Sequence, residues 1–210
     1  MGTLGRVGLS FLVVFLLACT LQGQQKPKSA PSQPATTPPD PGAITNGIYR
    51  NATFGFTYKL PFGWVDRTRE MTDDANDLKK SILLLAVFER PPEATGDTVN
   101  SAVVVAAEAV SSYPGLRNAE QYFGPLTELT KSKGLKVVNE PYEYPVGARQ
   151  LVRGDFSKPL GNLTMHQSTL VMMGKSYVVS FNFIGGTDDE VDSLVEGLSF
   201  GGKQTSTPHQ

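Results

Sequence analysis

Leu163-Thr164-Met165-His166-Gln167-Ser168-Thr169-Leu170-Val171-Met172-Met173-Gly174-Lys175-Ser176-Tyr177-Val178-Val179-Ser180-Phe181-Asn182-Phe183-Ile184 is two apolar-rich runs on either side of a short interruption. Thr164, Thr169 and Val171 in the first run and Tyr177, Val178, Val179, Phe181, Phe183 and Ile184 in the second suit a pleated, half-buried surface better than a helix. Gly174-Lys175 supplies the turn, so 163–173 and 176–184 are expected to pair as an antiparallel hairpin. A hairpin is marginal alone and needs further strands or a helix against it. Those strands lie upstream. Lys136 to Tyr144 and Ala148 to Phe156 read as two strands around Pro145-Val146-Gly147. Ser81 to Arg90 and Ala102 to Val110 are apolar on both alternating faces, as in interior strands covered on both sides, and Pro91-Pro92 forces the break between them.

Two stretches carry helical spacing instead. From Asn118 to Gly134, Ala119, Tyr122, Phe123, Leu126 and Leu129 recur with a helical period. Asn118 suits the N-cap, Gly134 the stop, and Pro125 predicts a kink or a later start at Gly124-Pro125. Thr187-Asp188-Asp189-Glu190 reads as a capping box opening a helix whose Val191, Leu194, Val195 and Leu198 form one apolar stripe. Residues 71–80 are polar and acidic, a loop or a short helical turn. Ile48 to Arg50 and Phe54 to Tyr58 alternate as a small hairpin across Asn51-Ala52. Strands in succession, with helices that must cover sheet faces, predict an α+β layered domain. The expectation is one mainly antiparallel sheet of five or more strands, with helices near 118–133 and 188–199. The 21 Gly and 15 Pro among 210 residues agree with many turns and exclude a helical bundle.

The amino-terminal residues read as an address. Met1 to Arg6 is a short basic region and Val7 to Ala18 an apolar run too short to span a bilayer, so 1–18 is predicted to be a signal peptide. Leu16-Leu17-Ala18-Cys19 resembles the lipobox of bacterial lipoproteins, in which the cysteine sulfur carries a diacylglycerol; Leu17 departs from the small residue usual there. Ordinary cleavage near Thr20 or Gly23, leaving no lipid, is the alternative. Cys19 is the only cysteine of the chain, so it has no disulfide partner within it. Between Lys26 and Gly42 stand Pro27, Pro31, Pro34, Pro38, Pro39 and Pro41 among small polar residues, the composition of a semi-extended spacer. The organisation expected is a signal peptide over 1–18, a lipid-attachment cysteine and linker over 19–42, one domain over 43–202, and a disordered tail over 203–210.

The chemistry expected of the domain is sparse. Over 43–202, 15 Lys and Arg stand against 19 Asp and Glu, which excludes a nucleic-acid footprint. One Cys and two His exclude zinc fingers and iron–sulfur clusters, and no nucleophile elbow, phosphate loop or zinc-protease motif occurs. No catalytic residue, metal site or cofactor is expected. His166 with a nearby Ser offers a hydrolase as one alternative, and a carrier of apolar ligands built on Val171, Met172, Met173, Phe181 and Phe183 is another. Asp73, Asp74, Asn76 and Asp77 gather oxygens but lack calcium-loop spacing. Arg149, Leu151, Arg153 and Asp155 share one strand face, so Arg149 and Arg153 could receive an anionic partner or form a ladder of ion pairs. Trp64, the sole Trp, is expected to pack over the sheet edge or to stack on a ligand.

Phe54-Gly55-Phe56-Thr57-Tyr58-Lys59-Leu60-Pro61-Phe62-Gly63-Trp64 resembles the opening signature of the PsbP-like superfamily, an aromatic-rich strand followed by Pro-x-Gly-Trp. The order of elements over 46–201 is similar too. That superfamily includes the extrinsic protein of photosystem II and bacterial envelope lipoproteins such as DcrB. The resemblance implies an α/β/α sandwich around a mainly antiparallel sheet, generally without catalysis. Together with the lipobox it implies a membrane-tethered, non-enzymatic binding or assembly module of the cell envelope. Its protein partner is left open.

Overall fold

The structure, a computed structural model, describes residues 39–74 and 81–201. The lipobox with Cys19, most of the spacer, the stretch 75–80 and the tail from 202 onward lie outside the described residues. Three strands, β1 (Ala43–Thr45), β2 (Ile48–Asn51) and β3 (Phe56–Lys59), open the domain and are joined at the end of the chain by β11 (Leu198–Phe200). They form a four-stranded antiparallel sheet in the order β1-β2-β3-β11. A second, seven-stranded antiparallel sheet holds β4 (Val65–Asp66), β5 (Ser81–Phe88), β6 (Ala102–Ala109), β7 (Lys136–Val146), β8 (Arg149–Leu160), β9 (Leu163–Gly174) and β10 (Tyr177–Gly185). Its order is β4-β5-β6-β10-β9-β8-β7, so β10 leaves its hairpin partner β9 to pair with β6 in the middle. The helices are α1 (Thr68–Asp74), α2 (Ala119–Ser132) and α3 (Asp188–Val195).

The α+β class and the antiparallel pairing agree with expectation, while the single sheet resolves into two. One face of the large sheet is covered by α2 and α1: Tyr122, Phe123 and Leu126 pack on Phe156, Val171 and Val178, and Met71 packs beside Leu83, Phe88 and Val104. The other face is covered by α3 and by the small sheet. There Tyr49, Phe54, Phe56 and Tyr58 meet Val103, Val105, Phe181 and Phe183, with Val191 and Leu194 of α3 alongside. Aromatic edges knit the two sheets, Phe56 and Phe181 lying 4.9 Å apart at 82°. The central strands are therefore buried on both faces, which is why β5 and β6 read as continuous apolar runs. Gly154 permits the closest approach of a helix to the sheet, because a Cβ there would come within 2.5 Å of the Phe123 ring.

Local chemistry moves several boundaries. The β9–β10 turn falls on Lys175-Ser176, one residue later than Gly174-Lys175. Pairing of Gly174 with Tyr177 leaves two central residues, and a primed turn needs positive φ at both; they stand at 55° and 65°. Asn118 caps α2 as expected, accepting from the Gln121 amide at 2.9 Å. The helix starts at Ala119 and runs through Pro125 rather than beginning there. It ends at Gly134, φ +83°, in a Schellman arrangement: the Gly134 amide donates to Lys131 and the Leu135 amide to Thr130. α1 starts earlier than expected, at Thr68, whose hydroxyl also accepts from the Ala86 amide. Thr187 caps α3, but the reciprocal half of the capping box is displaced. Glu190 accepts from the Gly186 amide at 2.8 Å and is also bonded to the Ser101 hydroxyl. Leu198 belongs to β11, not to the helix.

Candidate functional site

The richest cluster of chemistry lies where α3 crosses β8 and β9. Alternation along β8 puts Leu151, Arg153 and Asp155 on the face toward α3, as the sequence predicts. Register then sets Arg153 opposite Leu170, and Asp155 opposite Ser168. Arg153 is 8% exposed, and its Nε donates to Asp155 Oδ1 at 2.8 Å. Its Nη2 donates to Ser168 Oγ at 2.8 Å and to Asp192 Oδ1 of α3 at 2.7 Å, while the guanidinium sits 5.0 Å over the Tyr144 ring. Asp155 accepts from Ser168 Oγ at 2.5 Å, from Asn139 Nδ2 at 3.0 Å and from the Tyr142 hydroxyl at 3.1 Å. Burial alone pushes the Asp155 carboxyl up, but the hydrogen bonds from Ser168, Arg153 and Asn139 outweigh it and hold the group below its ordinary range.

The sequence offered an anion site or a ladder of exposed ion pairs; the geometry is a buried network joining β7, β8, β9 and α3. Arg153 already faces two carboxylates, and Arg149, exposed, lies 5.7 Å over the Phe200 ring instead of beside it. The two arginines are not brought together around a common point. His166 lies on the same face of β9, its Nδ1 2.6 Å from Asp188 Oδ1. Ser168, the residue it would need as a nucleophile, is bonded to Asp155 and Arg153.

A second buried polar group went unnoticed in the sequence. Glu108 is the one charge in the apolar β6, and it faces α2, where the Tyr113 and Tyr122 hydroxyls both donate to it. Burial pushes its carboxyl up, and the two hydrogen bonds offset that only in part. A carboxyl raised in the folded state favours folding while protonated. Its contribution is therefore complete below the ordinary glutamate range and is lost as pH rises through the raised value. Glu108→Gln should accordingly raise the melting temperature at pH 7 and flatten its decline as pH rises above the ordinary glutamate range. A melting temperature that falls equally with pH in both proteins would contradict this assignment.

Two further places matter. The end of the spacer is held against the small sheet. Pro39 is buried; the Tyr49 hydroxyl donates to the Pro41 carbonyl at 2.5 Å, and Asn51 Nδ2 donates to the Asp40 carbonyl at 3.1 Å. Gly42, φ +79°, is tightly enclosed, since a Cβ there would lie 2.6 Å from the Arg50 carbonyl oxygen. At the other end of this sheet, Trp64 packs half-buried on the main core, and the turn before it presents Phe62 fully to solvent. The apolar residues proposed as a carrier site are divided: Met172, Phe181 and Phe183 lie on the α3 face, Val171 and Met173 on the α2 face. Asp73 and Asp74 fall at the end of α1, and the remainder of that acidic group is outside the described residues.

No family model and no curated protein matches the sequence. Among solved structures the chain is similar to cyanobacterial PsbP (CyanoP) from Synechocystis, at 12% identity over 76% of this chain and 96% of that one, with a TM-score of 0.42. It is also similar to LpqN, involved in cell envelope biogenesis of Mycobacterium tuberculosis, at 11% identity over 78% and 87% with a TM-score of 0.40. A third is the Saccharomyces cerevisiae Ran-binding protein Mog1p, at 14% identity over 73% and 83% with a TM-score of 0.40.

Proposed function

We propose that this chain is a membrane-tethered, non-enzymatic binding or assembly module of the bacterial cell envelope. One observation carries the non-enzymatic part. The Ser168 hydroxyl donates to Asp155 and accepts from Arg153, while His166 pairs with Asp188, so this serine and this histidine do not form a hydrogen-bonded nucleophile–base pair. A base without a nucleophile and an orienter in hydrogen-bond contact does not make a hydrolase. The polar groups with chemical potential instead fasten α3 and α2 to the sheet. The tether rests on Leu16-Leu17-Ala18-Cys19 and the proline-rich spacer behind it. Acyl chains on Cys19 would supply an anchor worth about 0.8 kcal/mol per buried CH₂. No helix among the described residues is long and apolar enough to cross a membrane.

The test is affinity purification of the tagged full chain from its own membranes, beside Cys19→Ser. The wild type should pellet with membranes and bring a protein partner with it; Cys19→Ser should leave the membrane fraction. A hydrolytic activity that purifies with the chain and vanishes in His166→Ala would contradict the reading.

A further inference from the structure

We propose that Tyr49 and Asn51 form a binding site for proline-rich peptide, filled in cis by the chain's own residues 39–42. Strand pairing does not hold that segment. β1 begins at Ala43, whose partner is Arg50, so residues 39–42 precede the first ladder contact and are held by side chains. Proline has no N–H, so a proline-rich segment offers its neighbours carbonyl acceptors and ring surface. The cradle supplies the complement. Tyr49 Oη donates to the Pro41 carbonyl at 2.5 Å, Asn51 Nδ2 donates to the Asp40 carbonyl at 3.1 Å, and Pro39 is buried.

The two donors are built into the fold. Tyr49 is 2% exposed and Asn51 1%. The Phe54 amide donates to Asn51 Oδ1 at 2.9 Å, which sets the direction of the side-chain amide, and Nδ2 also donates to Tyr49 Oη at 3.1 Å. The Tyr49 ring lies 5.6 Å from the Phe56 ring in the core between the sheets. Burial pushes the Tyr49 hydroxyl up to about 12, so it stays a donor throughout the neutral range. Lifting the segment away would strip that buried hydroxyl of its acceptor, a cost that favours an occupied site. Gly42 completes the fit. It stands at φ +79°, and a Cβ there would lie 2.6 Å from the Arg50 carbonyl oxygen and 2.7 Å from Tyr49 Oη. Covalent attachment holds the segment at a high effective concentration, so a modest intrinsic affinity keeps the site filled. The spacer therefore leaves the domain from a fixed point beside β2.

The test follows the Asn51 side-chain amide and the Tyr49 ring by NMR in the full chain, with Gly42→Ala beside the wild type. The added Cβ should expel the segment. Both resonances should then shift, and the Asn51 amide protons should exchange with water about tenfold faster, while the backbone amides of β5 to β10 keep their protection. A synthetic peptide of residues 35–42, added at millimolar concentration, should return both resonances of Gly42→Ala to their wild-type positions. It should leave the wild type, already filled, unmoved. Pro39→Gly with Pro41→Gly adds no bulk and should empty the site in the same way, which keeps the test open if Gly42→Ala fails to fold. Resonances that match the wild type in the emptied variants, or a peptide that moves neither protein or both alike, would overturn the proposal. The envelope reading rests on Cys19 and stands under either result.

Discussion

Asp155→Ala should lower the stability of the domain by about 3 kcal/mol, the cost of removing one carboxylate from a buried charge pair. Arg153 is nearly buried; it would keep Asp192 and Ser168 but lose the carboxylate its Nε meets at 2.8 Å. Ser168, Asn139 and the Tyr142 hydroxyl would lose their acceptor at the same time. The double change Arg153→Leu with Asp155→Leu should be milder than the single one, because it removes both charges together. Urea unfolding of the three proteins measures this, and a double variant less stable than Asp155→Ala would contradict it. The pH dependence has a defined sign. The Asp155 carboxyl is depressed in the folded state, so its contribution is present above the ordinary carboxylate range and is lost as pH falls through the depressed value. Glu108 acts at the opposite end, where stability declines as pH rises. The domain should be most stable in the mildly acidic window between them.

Leu194→Asp should be of similar severity, several kcal/mol, enough to unfold a domain of marginal stability. Leu194 is 6% exposed and sits with Val191, Val195 and Leu198 in the core between the two sheets. A carboxylate there would be buried among the apolar residues of that core. Far-UV circular dichroism and thermal melting check the result. A variant that melts like the wild type would mean that this stripe of α3 does not face the core.

Most strands and both long helices were legible because each depends on local pattern. Alternation located β7 to β10, and a helical period with Asn118 and Gly134 located α2. What escaped was set by contacts distant in sequence. The apolar run of β3 declares a strand but not its partner, and β11 returns to it across 142 residues, where Thr57 Oγ1 and Ser199 Oγ lie 2.7 Å apart. One sheet thus became two. The same limit applies at the site. Alternation put Arg153 and Asp155 on one face, but only α3, folding back 39 residues later, made that face interior. Val171 and Met172 are adjacent in sequence and lie on opposite faces of the sheet, so a carrier site could not be read from their proximity. Glu108 was visible as a lone charge among apolar residues. Its tyrosine partners came from a turn and a helix that the strand pattern does not mention.

The proposed function requires a folded domain held to a membrane through Cys19. The most direct measurement is the intact mass and amino-terminal sequence of the mature protein isolated from its native cells. It should begin at Cys19 and carry the mass of a diacylglyceryl group on sulfur, recovered with the membranes, and Cys19→Ser should abolish both. An unmodified chain beginning at Leu21 or Gln24, free of the membrane, would contradict the tether.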